Sequence, residues 1–267
     1  MCQPRGRTTI VGRFRPDDFF PAVERAMAHS VPKPIALVTC YPANPTAYTA
    51  SLDFYRDLVA FAKRHELILL SDLAYAEVYF DDNPPPSVLQ VPGAIDCTVE
   101  FTSLSKTYSM AGWRMGFGVG NKKLIAAMTR VKSYLDYGAF TPIQAAACAA
   151  LNGPQDFIAE RRAVFEERRD LVVSMLNQAN GIQCPMPEGA FYVYPSCAGL
   201  MGKTAPNGTK METDEDFVTA LLEAEGVAVV HGSAFGLGPN FRISYATSTE
   251  ALTEACERIQ RFCAACT

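Results

Sequence analysis

Short apolar runs alternate with amphipathic stretches over the first half of the chain. Ile35-Ala-Leu-Val-Thr-Cys40 is a continuous apolar run that empties into a Pro/Asn-rich turn, Tyr41-Pro-Ala-Asn-Pro-Thr46. Leu52, Tyr55, Leu58, Val59 and Ala62 then recur three and four residues apart, which predicts a helix capped by Ser51 and ending near His65. Leu67-Ile-Leu-Leu70, Cys97-Thr-Val-Glu-Phe-Thr102 and Met115-Gly-Phe-Gly-Val119 are further strand candidates. Continuous apolar strands separated by helices predict an α/β fold with a parallel-rich sheet covered on both faces.

The second half reads differently. Residues 154–180 form a long helical pattern whose charge run, Glu160 to Asp170, reads as a solvated face, with Gly181 as its stop. Strands are expected at 190–194, 227–230 and 241–245, and helices at 214–225 and 249–263, which makes a smaller α+β module. The Gly/Lys/Thr/Pro-rich stretch 201–213 reads as a surface loop. The expected organisation is an unassigned stretch at 1–15, a large domain at 16–150 and a small domain at 151–267.

Composition narrows the function classes. The chain has 267 residues, 49% apolar and 19% charged, with a net charge of −4, as in ordinary globular proteins. No apolar run approaches the ~18–20 residues of a membrane span. The acidic balance and the lack of a basic stripe argue against nucleic acid. Nine scattered cysteines cannot all pair and suggest reduced thiols in a cytoplasmic setting. Cys263 and Cys266 form a C-x-x-C, but it closes a helical pattern instead of opening one after a strand, which points to a structural role. His29, His65 and His231 are isolated, so no metal site is expected. Residues 1–15 carry Arg5, Arg7, Arg13 and Arg15, no acid and no apolar core. They are not expected to be a secretory signal; a transit peptide and a disordered or artificial start are the alternatives.

In parallel sheets ligands sit beyond the carboxyl ends of the strands. Asn44 follows the first strand, Asp72 and Tyr75 the second, and Ser103, Ser105 and Lys106 the third, while Arg114 precedes the fourth. Singly these are a turn residue, a helix cap or a solvated cation. Together they match what pyridoxal phosphate requires. Lys106 would form a Schiff base with its aldehyde, and Asp72 would keep its ring nitrogen protonated. Asn44 and Tyr75 would donate to its phenolic oxygen, and Ser103, Ser105 and Arg114 would hold its phosphate.

At this point the chain resembles the fold-type-I, class I/II pyridoxal-phosphate aminotransferases. The resemblance rests on Tyr41-Pro-Ala-Asn-Pro-Thr46, Ser71-Asp-Leu-Ala-Tyr75 and Ser103-Leu-Ser-Lys-Thr-Tyr-Ser-Met-Ala-Gly-Trp-Arg-Met-Gly116. It extends to Glu188-Gly-Ala-Phe-Tyr192, Gly232-Ser-Ala-Phe-Gly236 and Phe241-Arg-Ile-Ser244, covering about residues 16–265. It implies exchange of an amino group between an amino acid and a 2-oxo acid through a Lys106 aldimine. Arg242 would grip the substrate α-carboxylate with Asn44 beside it in the substrate site, and Lys106, Asp72 and Tyr75 would be the catalytic set. It also implies a homodimer and small-molecule substrates.

Lys132-Ser-Tyr-Leu-Asp-Tyr-Gly-Ala-Phe-Thr-Pro-Ile-Gln144 is similar to the alanine and LL-diaminopimelate subgroup, with no second arginine between Tyr134 and Ala139 for a distal carboxylate. Family members carry well over a hundred residues before the Asn-Pro motif, where this chain has 43. The resemblance therefore implies a truncated or frame-shifted gene product with four of seven large-domain strands. It would lack a phosphate-cradling helix, a ring-stacking aromatic and a tyrosine lent across the dimer. An inactive fragment and a β-lyase acting on carbon–sulfur bonds are the alternative functions.

Overall fold

A computed structural model of the protein describes residues 16–267; the expectations for 1–15 lie outside the described residues. The described chain divides into two compact units, one of residues 16–43 and 49–160 and one of residues 44–48 and 161–267. The division falls at 160/161, where the sequence reading places the break at 150/151.

The first unit runs α1 (Pro16–Ala28), β1 (Ala36–Cys40), α2 (Leu52–His65), β2 (Ile68–Asp72), β3 (Thr98–Ser103), α3 (Leu104–Thr107), β4 (Gly116–Gly120), α4 (Lys122–Leu135) and α5 (Thr141–Asn152). Its sheet has the order β1-β2-β3-β4. Helix α2 starts where Ser51 Oγ accepts from the Phe54 N–H and stops at Glu66, in the left-handed conformation. Its buried face, Phe54, Tyr55, Leu58, Phe61 and Ala62, packs with Phe19 of α1 and with the cross-strand pair Leu37 and Leu69. Each such large apolar side chain contributes about 1.5–3 kcal/mol on burial.

Strands β1, β2 and β3 are parallel, but β4 runs antiparallel to β3. The physical reason is the short connection between them. It holds only α3 and a 3₁₀ turn, Ala111–Trp113, and the Leu104 N–H donates to the Met115 carbonyl, so no crossover returns the chain to the far end of the sheet. The expectation of a sheet covered on both faces also needs correction. β1 and β4 are its edges, and Val38 (66% exposed) and Val119 (51%) lie open. Helices α4 and α5 were not anticipated; α4 is nonetheless well started, with Asn121 Oδ1 accepting from the Lys123 and Leu124 N–H groups.

The second unit holds α7 (Asp214–Glu225), α8 (Thr249–Ala265) and most of α6 (Asp156–Leu176), with a small antiparallel sheet, β5 (Tyr192–Val193), β6 (Val230–His231) and β7 (Phe241–Ser244), in the order β5-β7-β6. Phe217 of α7, Phe241 of β7 and Phe262 of α8 meet ring to ring in its core. The charge run of α6 is not wholly solvated. Arg169 is buried, ion-paired to Glu166 and Asp170, with Nη1 donating to the Pro187 carbonyl. A buried guanidinium needs such partners. Gly181, at φ +80°, closes the turn after α6 and not the helix itself, which ends at Leu176. Cys263 and Cys266 are buried at the end of α8.

Among the described residues none of the eight cysteines forms a disulfide, no group of three or more His, Cys, Asp or Glu side chains could hold a metal, and no helix is long and apolar enough to cross a membrane.

Candidate active site

In the first unit six of the singled-out residues gather at one end of the sheet. Asp72 is the last residue of β2, with its exposed carboxylate accepting from the Ala74 N–H at 3.2 Å. Tyr75 is buried in the turn that follows. Ser103 ends β3 and caps α3, its Oγ accepting from the Ser105 N–H at 3.1 Å. The register pairs Asp72 with Phe101, so the Asp72 and Ser103 side chains share a face of the sheet. Lys106 stands on α3, its Nζ 5.7 Å from the centre of the Tyr75 ring. Because β4 is antiparallel, the residues before it arrive at this same end: Gly116 pairs with Ser103. Arg114 thereby joins the group, at φ +53° and exposed, with Nη1 donating to the Ala111 carbonyl at 2.9 Å. Ser109 is also left-handed, at φ +52°. Two such residues in one short connection hold local strain of a kind concentrated at functional sites.

In the second unit Arg242 occupies the central strand, β7. Its guanidinium carbon lies 4.6 Å from the Tyr192 ring centre and 5.0 Å from that of Phe235. Nη1 donates to Asn44 Oδ1 at 2.7 Å. Nε is buried and has no hydrogen-bond partner. Among the described residues no carboxylate pairs with this cation. It is desolvated by two aromatic faces and touched by one neutral amide, so it retains its capacity for an anion. Asn44 thus sits with Arg242, its oxygen already engaged.

Two residues that flank this cation were not singled out from the sequence. Tyr192 and Phe235 fall within quoted motifs, but nothing local says that both rings face Arg242. Asp214, which ties the loop that carries Phe235, gave only the signal of a helix start. Tyr194 braces the same loop: burial pushes its hydroxyl up to about 12, so it stays protonated and donates to the Gly232 and Leu237 carbonyls.

Residues 13–259 match the family model for aminotransferase class I and II. The chain is 56% identical over 227 residues to a Rhizobium leguminosarum protein named "Probable aspartate/prephenate aminotransferase", covering 84% of this chain and 57% of that one. It is 49% identical to the aspartate/prephenate aminotransferase of Cereibacter sphaeroides, covering 84% and 56% respectively. The crystal structure of the aspartate aminotransferase from Rhizobium meliloti superposes with a TM-score of 0.89 at 42% identity, over 96% of this chain and 62% of that one. The chain therefore spans about three fifths of the length of these relatives. With the motifs, the strand-end residues and these similarities in agreement, the chain belongs to the class I and II aminotransferase family.

Proposed function

We propose that the protein is a pyridoxal-phosphate-dependent aminotransferase acting on an amino acid and a 2-oxo acid. The observation that carries the reading is the buried, partnerless Nε of Arg242: a guanidinium between two rings with no acid beside it fits a substrate carboxylate, which only a planar fork meets bidentately. The donor set of the first unit fits the cofactor that the family implies. Lys106 supplies the amine, Asp72 a carboxylate for a cationic ring nitrogen, Tyr75 a phenol, and Ser103, Ser105 and Arg114 two hydroxyls and a cation for a phosphate. When bound, pyridoxal phosphate supplies an aldehyde that condenses with amines and a ring that withdraws electrons.

The chain's own residues do the rest. Asp72 stabilises positive charge on the ring nitrogen. Lys106 Nζ takes a proton from the substrate α-carbon as general base and returns one as general acid. Tyr75, beside that amine, donates to the phenolic oxygen together with Asn44. Arg242 fixes the α-carboxylate and so orients the bond that is broken.

Alanine and glutamate are the proposed amino donors, from the 132–144 stretch. Aspartate is a second reading, favoured by the names of the two relatives. The proposal includes a homodimer, as the resemblance implies, and a cytoplasmic location, which the free thiols support.

The test is the visible absorption spectrum of the purified chain with pyridoxal phosphate, compared with Lys106→Ala. A band in the wild-type chain only, bleached by alanine, glutamate or aspartate and restored by a 2-oxo acid, supports the reading. Release of pyruvate and ammonia instead would favour a β-lyase. Absence of a Lys106-dependent band would refute activity in this chain.

A further inference from the structure

The connection from β6 to β7 is wound around one buried carboxylate. Asp214 is the first residue of α7 and 3% exposed. Its Oδ1 accepts from Ser233 Oγ at 2.7 Å, and its Oδ2 accepts from the Ser233 N–H at 2.9 Å and the Asn240 N–H at 3.3 Å. Both ends of the 233–240 loop are thereby tied to a single side chain. The loop is cross-braced as well: the Gly232 N–H donates to the Asn240 carbonyl at 2.7 Å, and the Leu237 N–H to that of Gly232 at 3.1 Å.

The winding is tight enough to dictate composition. A Cβ at Gly238 would stand 2.6 Å from Asp214 Oδ2, and one at Gly232 would meet the Leu237 carbonyl oxygen and lie 2.7 Å from the Tyr194 hydroxyl. Phe235 lies between the tied ends, with its ring on the Arg242 guanidinium. His231 Nδ1 is 2.7 Å from Ser233 Oγ, which already donates to Asp214, so that contact is a donation from the imidazole. Three donors satisfy the Asp214 charge.

We propose that Asp214 is a positioning residue: by fixing the 232–240 loop it fixes Phe235, and through Phe235 the plane of the Arg242 guanidinium. The inference rests on Arg242 as the carboxylate site and deepens that reading. It needs neither cofactor nor turnover to test. The readout is the Arg242 Nε–H resonance in ¹⁵N-labelled chain, assigned by its loss in Arg242→Lys. Held between two rings and buried, it should be displaced by ring currents and slow to exchange with water.

Asp214→Asn keeps the size but loses the charge. It should move the resonance toward the free-arginine position and speed its exchange at least about tenfold, the equivalent of one charge-assisted hydrogen bond. Ser233→Ala removes a single bond and should move it the same way by less. Propionate is the carboxylate probe. It should shift the resonance in the wild type and bind about tenfold more weakly to Asp214→Asn.

An Nε–H unchanged in position and exchange in a folded Asp214→Asn would overturn the inference. If that variant does not fold, an unchanged signal in Ser233→Ala overturns it instead. If both variants move the signal while propionate does not affect the wild type, positioning stands and the carboxylate role of Arg242 fails.

Discussion

Replacing Glu100 with leucine tests how the first unit holds the strand that ends in Asp72. Glu100 lies in the middle of β3, 8% exposed. It accepts from Ser87 Oγ at 2.6 Å and from Ser71 Oγ and the Val88 N–H, both at 3.1 Å. Leucine has similar bulk and no acceptor. Ser87 is half-buried and can turn to water, but Ser71, at 2% exposed, and the buried Val88 N–H cannot. Each orphaned donor costs about 1–3 kcal/mol, partly offset by no longer burying a charge, so a net loss of about 3 kcal/mol is expected.

Trp113 is the only tryptophan and belongs to the first unit, so its fluorescence follows that unit through urea unfolding. At a slope of about 1.5–2 kcal/mol/M the midpoint should fall by about 1.5–2 M. Adding Ser71→Ala to Glu100→Leu removes one orphan and should restore about 1 kcal/mol, although Ser71→Ala alone destabilises. A midpoint unchanged in Glu100→Leu, or a double variant weaker than the single one, would show that unsatisfied donors are not the origin of the effect.

Three further outcomes are expected. Gly120→Ala would drive its Cβ into the Thr98 carbonyl and to 2.7 Å from Val99 Cα, so the β3–β4 pairing should loosen by about 2 kcal/mol or more, read as a lower midpoint in the same assay. The Asp216 carboxyl lies below its usual 3.8 because Thr213 donates to it through side chain and backbone. Its contribution to the start of α7 is therefore full above pH 3.8 and is lost as the pH falls through the lowered value; faster exchange of the Glu212 and Thr213 N–H groups on acidification would show it, and unchanged exchange would refute it. Burial pushes the Cys184, Cys197 and Cys263 thiols up to about 12 and Cys256 to about 11. At pH 8 the exposed Cys148 should thus react with a disulfide reagent well before any of these four, and equal rates, resolved by mass spectrometry, would contradict the burial.

What the sequence by itself determined is local in physical origin. The Ser51 cap, the three-and-four spacing after it, the apolar runs of β1 to β3 and the placement of Asp72, Ser103 and Lys106 at strand ends depend on interactions a few residues apart. The family motifs could likewise be read without coordinates. Helices α4 and α5 went unanticipated, and they bury little: α4 has no buried residue.

Only the tertiary structure decided what depends on distant chain segments meeting. It reversed β4, which is how Arg114 reaches the end of the sheet that carries Lys106. It buried Arg169 out of a run that reads as solvated. It also brought Asn44 to Arg242 across 198 residues of sequence, set Tyr192 and Phe235 against that cation, and tied the loop that carries Phe235 to Asp214. No periodicity records such meetings. They are selected by packing, by pairing of buried polar groups and by loop closure, and these act on the folded chain as a whole.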